Sequence, residues 1–374
     1  MSGTETNRAT GPVITAWSAV SPFGVGREAF EQGLSAGHET AGPPDIAEWG
    51  VVADASARLV PDFRVREVLG MTGTRGLDRA AGLVITAMRE LLRDVPEIVS
   101  DGGFKTAVVL GTTAGSAQGY ADVTRASFEG RRPQDVPPVA LPNMAMNRSA
   151  SASAIFHGVR GPNSTIAAGR VAGLIALEYG RRLLVEHRVD TVMVGATEEY
   201  SQARSWLEYH RRPGSEDRVE LGEGSAVLLL ERSEAEALAA GRSVLAEVLS
   251  VTSRVDVNGD PAEALQRCVS ASLEAAGVSA QDVRAAMSSS CGGTSESMET
   301  RLLTRMFGVE AVVRPEIGSL IGDTSAAASL FQILALLSTA QRRGGDRDHL
   351  VVVTAADPDG AVAGAVLRLL PIGR

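Results

Sequence analysis

An arginine occupies a position in this sequence where a reactive group or a bound anion would be expected. The stretch TIAAGRVAGLIAL (165–177) has the residue types of a strand that runs into a small-residue turn and then into a buried helix, with Arg170 in the turn. Free backbone N–H groups and the helix dipole favour negative charge at such a helix start, so enzymes place nucleophiles or bind anions there. A fixed cation is the wrong charge for this position, so the role of Arg170 has to be explained.

Composition predicts a compact α/β protein with one large domain or two fused domains. The 374 residues are 44% hydrophobic and 22% charged, with 40 glycines. A net charge of -9, with no clustered basic face, argues against nucleic-acid binding. The polar residues 1–11 suggest a flexible N-terminus without a signal core, and no run approaches the roughly 20 apolar residues of a membrane span. We therefore expect a cytosolic protein.

The cysteines and histidines indicate no metal site, and no cofactor motif was found. Cys268 and Cys291 are the two cysteines of the chain, and they do not form a CxxC pair. Neither a disulfide framework nor a zinc site is therefore indicated. The five histidines match no catalytic motif, and we interpret them as surface or packing residues.

An internal repeat is the main feature of the chain's organisation. Strand-like runs alternate with amphipathic helical stretches, as in βαβ proteins. Four segment pairs recur in the same order: TAVVLGTTAG (106–115) with RAAMSSSCGG (284–293), VAGLIALEYG (171–180) with SAAASLFQIL (325–334), DTVMVGATEE (190–199) with DHLVVVTAAD (348–357), and GSAVLLL (224–230) with AGAVLRL (363–369). The shared order predicts a duplicated α/β unit, divided near residue 245 into halves 12–245 and 246–374.

Several segments resemble the β-ketoacyl synthases. They are the opening VITAWSAVSPFGVGREAFEQGLSAG (13–37), FHGVRGP (156–162), the nucleophile-elbow segment GPNSTIAAGRVAGL (161–174), and the strand LGEGSAVLLLE (221–231). They occur in family order along nearly the whole chain. The resemblance implies an α/β protein with the thiolase fold, in which two duplicated βαβαβαββ halves stack as an α-β-α-β-α layered sandwich. This agrees with the repeat, which was found independently of it.

The resemblance also shows which catalytic groups are missing. Ketosynthases use an elbow cysteine, two histidines and a lysine for thioester condensation. The matching positions here are Arg170 for the cysteine, Cys291 of CGGT (291–294) for the first histidine, and Gly318 and Asp323 of GSLIGD (318–323) for the lysine and the second histidine. The GFGG gate of the family corresponds to DPDG (357–360). We therefore expect no condensing activity from this chain.

These replacements lead to two expectations about the degenerate site. A buried arginine needs an acidic partner, so we expect Arg170 to reach across the former tunnel and pair with Asp323. Such a pair could plug acyl entry, or it could be drift at a site without catalytic demand. We expect Cys291 to be structural, because a lone cysteine in an apolar setting is most often inert.

A ketosynthase fold without the catalytic groups resembles the chain-length factor, the inactive partner of an active ketosynthase in type II polyketide synthases. This resemblance implies a heterodimer formed through about residues 143–185, with acyl carrier protein binding through the complex. Chain-length factors usually have glutamine at the elbow, so Arg170 leaves open an aromatic, reduced or polyene branch. A purely stabilising partner and an acyltransferase or thioesterase stay open as alternatives.

Two further segments bear on that function. The helix predicted within SAQGYADVTRASFEG (116–130) places Ala117, Tyr120 and Thr124 on one stripe. In chain-length factors this helix lines the end of the partner's acyl tunnel, although the stripe could equally pack against the partner as core. The segment RRPGSEDRVELGEGSA (211–226) is shorter than its family counterpart, which suggests that part of the active-site rim or of the carrier-protein surface is missing.

Overall fold

The computed structural model describes residues 11–211, 219–291, 297–343 and 348–371. Three sequence predictions therefore fall partly outside the described residues. They concern the flexible N-terminus, the shortened loop and the CGGT segment after Cys291.

Strands and helices alternate along the described residues. The strands are β1 (Val13–Ser21), β2 (Gly24–Val25), β3 (Ala41–Gly42), β4 (Ala57–Arg58), β5 (Thr106–Thr112), β6 (Asn163–Ala167), β7 (Thr191–Glu198), β8 (Leu221–Gly222), β9 (Gly224–Glu231), β10 (Ala246–Val255), β11 (Val283–Met287), β12 (His349–Ala356) and β13 (Ala361–Leu369). The helices are α1 (Arg27–Ala36), α2 (Ile46–Trp49), α3 (Val65–Leu69), α4 (Arg79–Asp94), α5 (Ala117–Glu129), α6 (Arg148–His157), α7 (Ala172–Val185), α8 (Gln202–Arg211), α9 (Glu234–Ala239), α10 (Pro261–Ala276), α11 (Met298–Phe307), α12 (Ile317–Ile321) and α13 (Ala328–Arg343).

The main strands form two sets with the same internal order. The first set runs β6-β5-β7-β9-β1 and the second runs β11-β12-β13-β10. In both sets the strands that contact β9 or β13 pair with it antiparallel, whereas the remaining pairs, β5–β6, β5–β7 and β11–β12, are parallel. The sets touch where the start of β1 pairs with the start of β10, through Val13 with Glu247 and Ile14 with Ala246. The matching order and directions are those expected of a duplicated unit.

The second half is one strand short of the expected βαβαβαββ pattern. The first half contains β1, α4, β5, α6, β6, α7, β7 and β9, which is the complete sequence of elements. In the second half, the counterpart of β6 is reduced to a single parallel bridge between Ala286 and Val312. Pro315 follows shortly after Val312, and proline has no N–H group with which to extend a ladder.

Helices and strand sets are layered as α-β-α-β-α. Helices α7 and α13 lie between the two sets and share one core with them, in which Leu174, Leu177, Phe331 and Leu334 are fully buried. Helices α4 and α6 cover the outer face of the first set. Helices α10 and α11 cover the outer face of the second set. This arrangement confirms the expected fold.

The two central helices, α7 and α13, are equivalent in the repeat, but the structure aligns their residues differently from the sequence match. Each follows a 3-10 turn, Gly169–Val171 before α7 and Ser325–Ala327 before α13. The structure therefore aligns Val171 with Ala327, whereas the sequence match aligned it with Ser325. Apolar helices resemble each other in several registers, so the match along the sequence was two residues out. The helices approach closely, because a Cβ at Gly173 would lie 2.5 Å from Ser329 Oγ.

The helices of this fold are short compared with the thickness of a bilayer. The longest in the described residues, α4, α10 and α13, contain 16 residues each. Spanning the hydrocarbon layer takes about 20 apolar residues. No helix in the described part of the chain is long and apolar enough to cross a membrane.

Candidate functional site: a closed elbow

The elbow turn joins β6 to α7 and depends on a glycine. Gly169 has a φ of 56°, in the left-handed region that residues with a Cβ rarely adopt. A Cβ at this position would also lie 2.0 Å from Asp357 Oδ2. Glycine is therefore required here by both the backbone conformation and the close approach of a carboxylate from the second half.

The Arg170 side chain crosses from the first half into the second half. Its Nη2 forms an ion pair with Asp323 Oδ2, and its Nη1 lies 3.4 Å from Ser289 O and 3.7 Å from Cys291 Sγ. The two charged side chains are only 11% and 4% exposed. The ion pair predicted from the sequence is therefore present, and it lies in the interior of the protein.

The ion pair is held by further contacts on its acidic side. Asp323 Oδ1 accepts a hydrogen bond of 2.9 Å from the N–H of Ser325, and Asp323 O accepts one of 2.7 Å from Arg204 Nη2. Burial lowers the pKa of Arg170, but the charge of Asp323, together with smaller contributions from Cys291 and Glu299, outweighs burial and raises the pKa above its usual range. Arg170 is therefore a permanent cation, and the site has no mobile proton on this side chain.

Cys291 lies next to this ion pair, not in an apolar setting, so that part of the sequence prediction is wrong. The residue follows β11 by four positions, and its thiol contacts Ser289 O at 3.5 Å as well as Arg170. Sequence reasoning missed this because it could not place Arg170 beside the thiol. Burial and the carboxylate of Asp323 nevertheless raise the pKa of Cys291 to about 12, so its thiol is protonated at neutral pH.

Gly318 occupies a position that admits no side chain. It lies on α12, and a Cβ there would be 2.7 Å from both Cys291 Cα and Ser290 O. These are backbone atoms, which cannot move aside as a flexible side chain can. A lysine cannot enter this position unless the chain around Cys291 shifts.

Asp357 is a functional candidate that sequence reasoning did not single out. Its Oδ2 accepts a hydrogen bond of 2.8 Å from the backbone N–H of Arg170. The repeat carried a signal for it, because the match of 190–199 with 348–357 aligns Asp357 with Glu199. Both carboxylates directly follow a buried strand that ends in the centre of the molecule.

Glu198 and Glu199 form a second acidic feature that the sequence analysis missed. Glu198 accepts a hydrogen bond from the backbone N–H of Ala326, in the turn before α13. Glu199 accepts bonds from Ser116 Oγ at 3.0 Å and from the Gln118 N–H at 3.1 Å, and it lines a cavity of about 510 Å³. Burial, reinforced by Asp78, raises the pKa of Glu199 to about 8.

Helix α5 carries the three residues proposed to line an acyl tunnel. It begins after Ser116, whose Oγ accepts a hydrogen bond of 2.9 Å from the Gly119 N–H. Ala117 and Thr124 are half-buried, and Tyr120 is exposed on the surface of this chain. The stripe is therefore available to a partner, and its role as a tunnel wall stays a prediction.

Comparison with known proteins agrees with this fold. The family model described as "Beta-ketoacyl synthase, N-terminal domain" matches residues 12–236. The chain belongs to the β-ketoacyl synthase family.

Three individual proteins show which members of the family this chain is similar to. A chain of the solved structure "The ishigamide ketosynthase/chain length factor" is 40% identical, with a TM-score of 0.89 over 96% of this chain and 99% of that chain. The 3-oxoacyl-(acyl-carrier-protein) synthase 2 of Rhizobium meliloti (strain 1021) is 24% identical, over 87% of this chain and 86% of that protein. The tetracenomycin polyketide synthase ketoacyl synthase alpha subunit of Streptomyces glaucescens is 25% identical, over 86% and 83% respectively.

Proposed function

We propose that the chain is a non-condensing subunit of the chain-length-factor type, which pairs with an active ketosynthase in a type II polyketide synthase. The observation that carries the proposal is the buried ion pair of Arg170 with Asp323 at the elbow. On the alignment implied by the family resemblance, Arg170 is a permanent cation at the position of the nucleophile, and Asp323 is a carboxylate at the position of a catalytic histidine. The similarity to a ketosynthase/chain length factor structure supports the same assignment.

The closed position at Gly318 supports the loss of condensing chemistry independently. Stabilising the enolate formed by decarboxylation takes preorganised donors at the reacting oxygen. Neither Arg170, which is held by Asp323, nor Gly318, which has no side chain, can supply the missing groups. We expect Arg170→Cys alone to yield a thiol that can be alkylated but no condensation product. Detectable condensation by that purified variant without a partner would overturn the assignment.

The edge strand of the first set, β6, is evidence for pairing with a second subunit. Within the described residues, β6 pairs with β5 on one side only, and its residues are half-buried or exposed. An open edge is a ready template for pairing with another chain. Next to it, Ile155 on α6 is 79% exposed and Tyr179 on α7 is also exposed. These residues lie within the segment 143–185 proposed for the heterodimer.

The test is co-purification with an active ketosynthase encoded in the same genome. We expect a one-to-one complex, and we expect Ile155→Asp to weaken it at least tenfold by burying a charge in an apolar interface. Val257→Asp is the matched control, since Val257 is 85% exposed but follows β10 in the other half. A stable, soluble monomer with no affinity for the ketosynthase would contradict the proposal.

We further propose that α5 sets the length of the product. The half-buried Ala117 and Thr124 leave space beside the exposed Tyr120, which could serve as the floor of a tunnel shared with the partner. Ala117→Phe should shorten the product by filling that space, and Tyr120→Ala should lengthen it. The readout is the mass of the products released by the pair reconstituted with its carrier protein.

Glu129→Phe is the control for added bulk on the same helix, because helical geometry places Glu129 opposite Tyr120. Unchanged product masses in both test variants, with the complex intact, would leave the chain as a stabilising partner only. The alternative of an acyltransferase or thioesterase needs a base beside a nucleophile. The pKa of Cys291, raised to about 12, argues against this thiol as such a nucleophile.

A further inference from the structure

The elbow retains the backbone geometry of an anion site. Helix α7 has 14 residues, and the N–H of Arg170 points out of the turn at its start. Such N–H groups favour a negative charge. In this chain the N–H of Arg170 already donates to the carboxylate of Asp357, at 2.8 Å.

The carboxylate of Asp357 is fixed in place by its own loop. Its other oxygen, Oδ1, accepts a hydrogen bond of 2.9 Å from the Asp359 N–H. The Asp357 main chain pairs with Ala361 and Gly360 at 2.8 and 3.0 Å. The side chain is buried, and its Oδ2 packs against Gly169 so closely that no Cβ fits there. These contacts therefore fix the position of the Asp357 carboxylate at the elbow.

The charges around the elbow are also balanced. Arg170 lies between two carboxylates, with Asp323 at its guanidinium and Asp357 at its backbone N–H. Arg211 lies 3.9 Å from Asp357 Oδ1, on the side away from the elbow. Asp357 therefore faces one helix start and one peripheral arginine, and it is not needed to neutralise the Arg170 side chain.

We infer that Asp357 is an internal anion that occupies the elbow's anion site and positions Arg170 toward Asp323. The inference deepens the proposed function and rests on it, since it describes how a non-condensing subunit keeps its elbow closed. The site is closed twice, once by the arginine side chain and once by the carboxylate on the backbone N–H. Removing the arginine alone leaves the anion position filled.

The test uses a thiol at the elbow as a probe of local charge. The background variant Arg170→Cys/Asp323→Asn removes both charges of the ion pair, so no buried charge is left unpaired. The introduced thiol is alkylated with iodoacetate, an anion, and with iodoacetamide, its neutral analogue. Peptide mass spectrometry separates this thiol from Cys268 and Cys291, and the measured quantity is the ratio of the two alkylation rates.

Adding Asp357→Asn to that background should raise the iodoacetate to iodoacetamide ratio about fivefold or more, because the negative charge at the helix start is removed while an oxygen still accepts the hydrogen bond. The control is Asp359→Asn in the same background. It makes the same chemical change in the same loop, at a side chain that is 78% exposed and contacts Arg211. We expect the control to leave the ratio unchanged.

If Asp357 had only a structural role, replacing it would change the stability of the protein but not the ratio of the iodoacetate and iodoacetamide alkylation rates. An unchanged ratio in Asp357→Asn, or an equal rise in Asp359→Asn, would overturn the inference. Asp357→Ser is the second variant if the first does not fold, and the same rise is expected from it. Either result leaves the co-purification test unaffected, so failure here is distinguishable from failure of the proposed function.

Discussion

Two turns in the central layer begin helices α7 and α13 with the same backbone conformation. Each starts with a residue of positive φ, 56° at Gly169 and 39° at Ser325. Each also receives a carboxylate from the strand end of the opposite half. Asp357 accepts from the N–H of Arg170, and Glu198 accepts from the N–H of Ala326.

The difference between the turns lies in the side chain that follows the positive-φ residue. Ala326 is buried and uncharged, whereas Arg170 carries a buried charge that Asp323 has to balance. Capping by a carboxylate is thus a property of the repeated fold, because both turns have it. Only the turn before α7 also carries a cation, Arg170. The energetic cost and the function of this cation should therefore be separable from those of the turn.

The largest expected effect comes from removing the partner of that cation. Asp323→Ala should lower the free energy of unfolding by about 3–5 kcal/mol, because it leaves the buried Arg170 unpaired. Asp359→Ala, which breaks an exposed pair with Arg211, should lower it by about 0–1 kcal/mol. Urea denaturation of both variants measures the contrast. Equal losses would mean that the Arg170 charge is solvated and the two turns are energetically alike.

The second prediction concerns Glu199, which the sequence repeat aligns with Asp357 and whose side chain is buried. Its pKa is raised from 4.5 to about 8, so the folded state keeps a proton that the unfolded state releases between those values. Stability should therefore fall as pH rises from about 4.5 to 8. Glu199→Gln should remove this fall, so that relative to the parent chain the variant gains on the order of 4 kcal/mol of stability between pH 5 and pH 9.

Denaturation at several pH values tests this, with the exposed Glu129→Gln as the control. A Glu199→Gln variant whose stability keeps the same pH dependence as the parent chain would show that Glu199 ionises normally. In that case the acidic groups after β7 and after β12 would be equivalent.

The third prediction separates backbone strain from close packing at the first turn. Gly169→Ala should cost about 1–3 kcal/mol more than Gly277→Ala. Both glycines have a positive φ, but a Cβ at Gly277 meets nothing within 4 Å, whereas one at Gly169 meets Asp357. Thermal denaturation of the pair measures the difference. Equal costs would indicate that Asp357 moves aside easily and does not hold the elbow.

The smallest effect is expected at the second turn. Ser325→Gly relieves a positive φ at a non-glycine residue but removes a hydroxyl that lies 3.0 Å from Thr113 Oγ1. We expect a net change within about 1 kcal/mol. Asp62→Gly relieves a similar φ of 50° on the surface and is the control. A loss above 2 kcal/mol for Ser325→Gly alone would show that the second turn depends on its side chain as strongly as the first.

Sequence reasoning reached the features that depend on patterns along the chain. The repeated strands and the strand-turn-helix at Arg170 follow from residue types at fixed positions, and the pairing of Arg170 with Asp323 follows from the family resemblance; the structure confirms them. The proposed division near residue 245 stays a prediction.

The features that were missed depend on contacts across the two halves. Asp357 meets the backbone of Arg170, and Glu198 meets that of Ala326, although the partners lie far apart in the sequence. Backbone N–H groups carry no residue-type signal, so no motif announces such a cap. The missing strand near Val312 and the two-residue shift between α7 and α13 were hidden for a similar reason, since apolar segments look alike in several registers.

The Arg170 site also has a consequence for how the chain is made. The groups that hold Arg170 are Ser289, Asp323 and Asp357, which follow it by 119, 153 and 187 residues. At about 5–20 residues per second, a ribosome needs roughly 10 to 40 seconds after Arg170 to deliver the last of them. During that interval the nascent first half carries the Arg170 cation without the groups of the second half that hold it. The elbow is therefore one of the last parts of the molecule to assemble, although it lies near the middle of the chain.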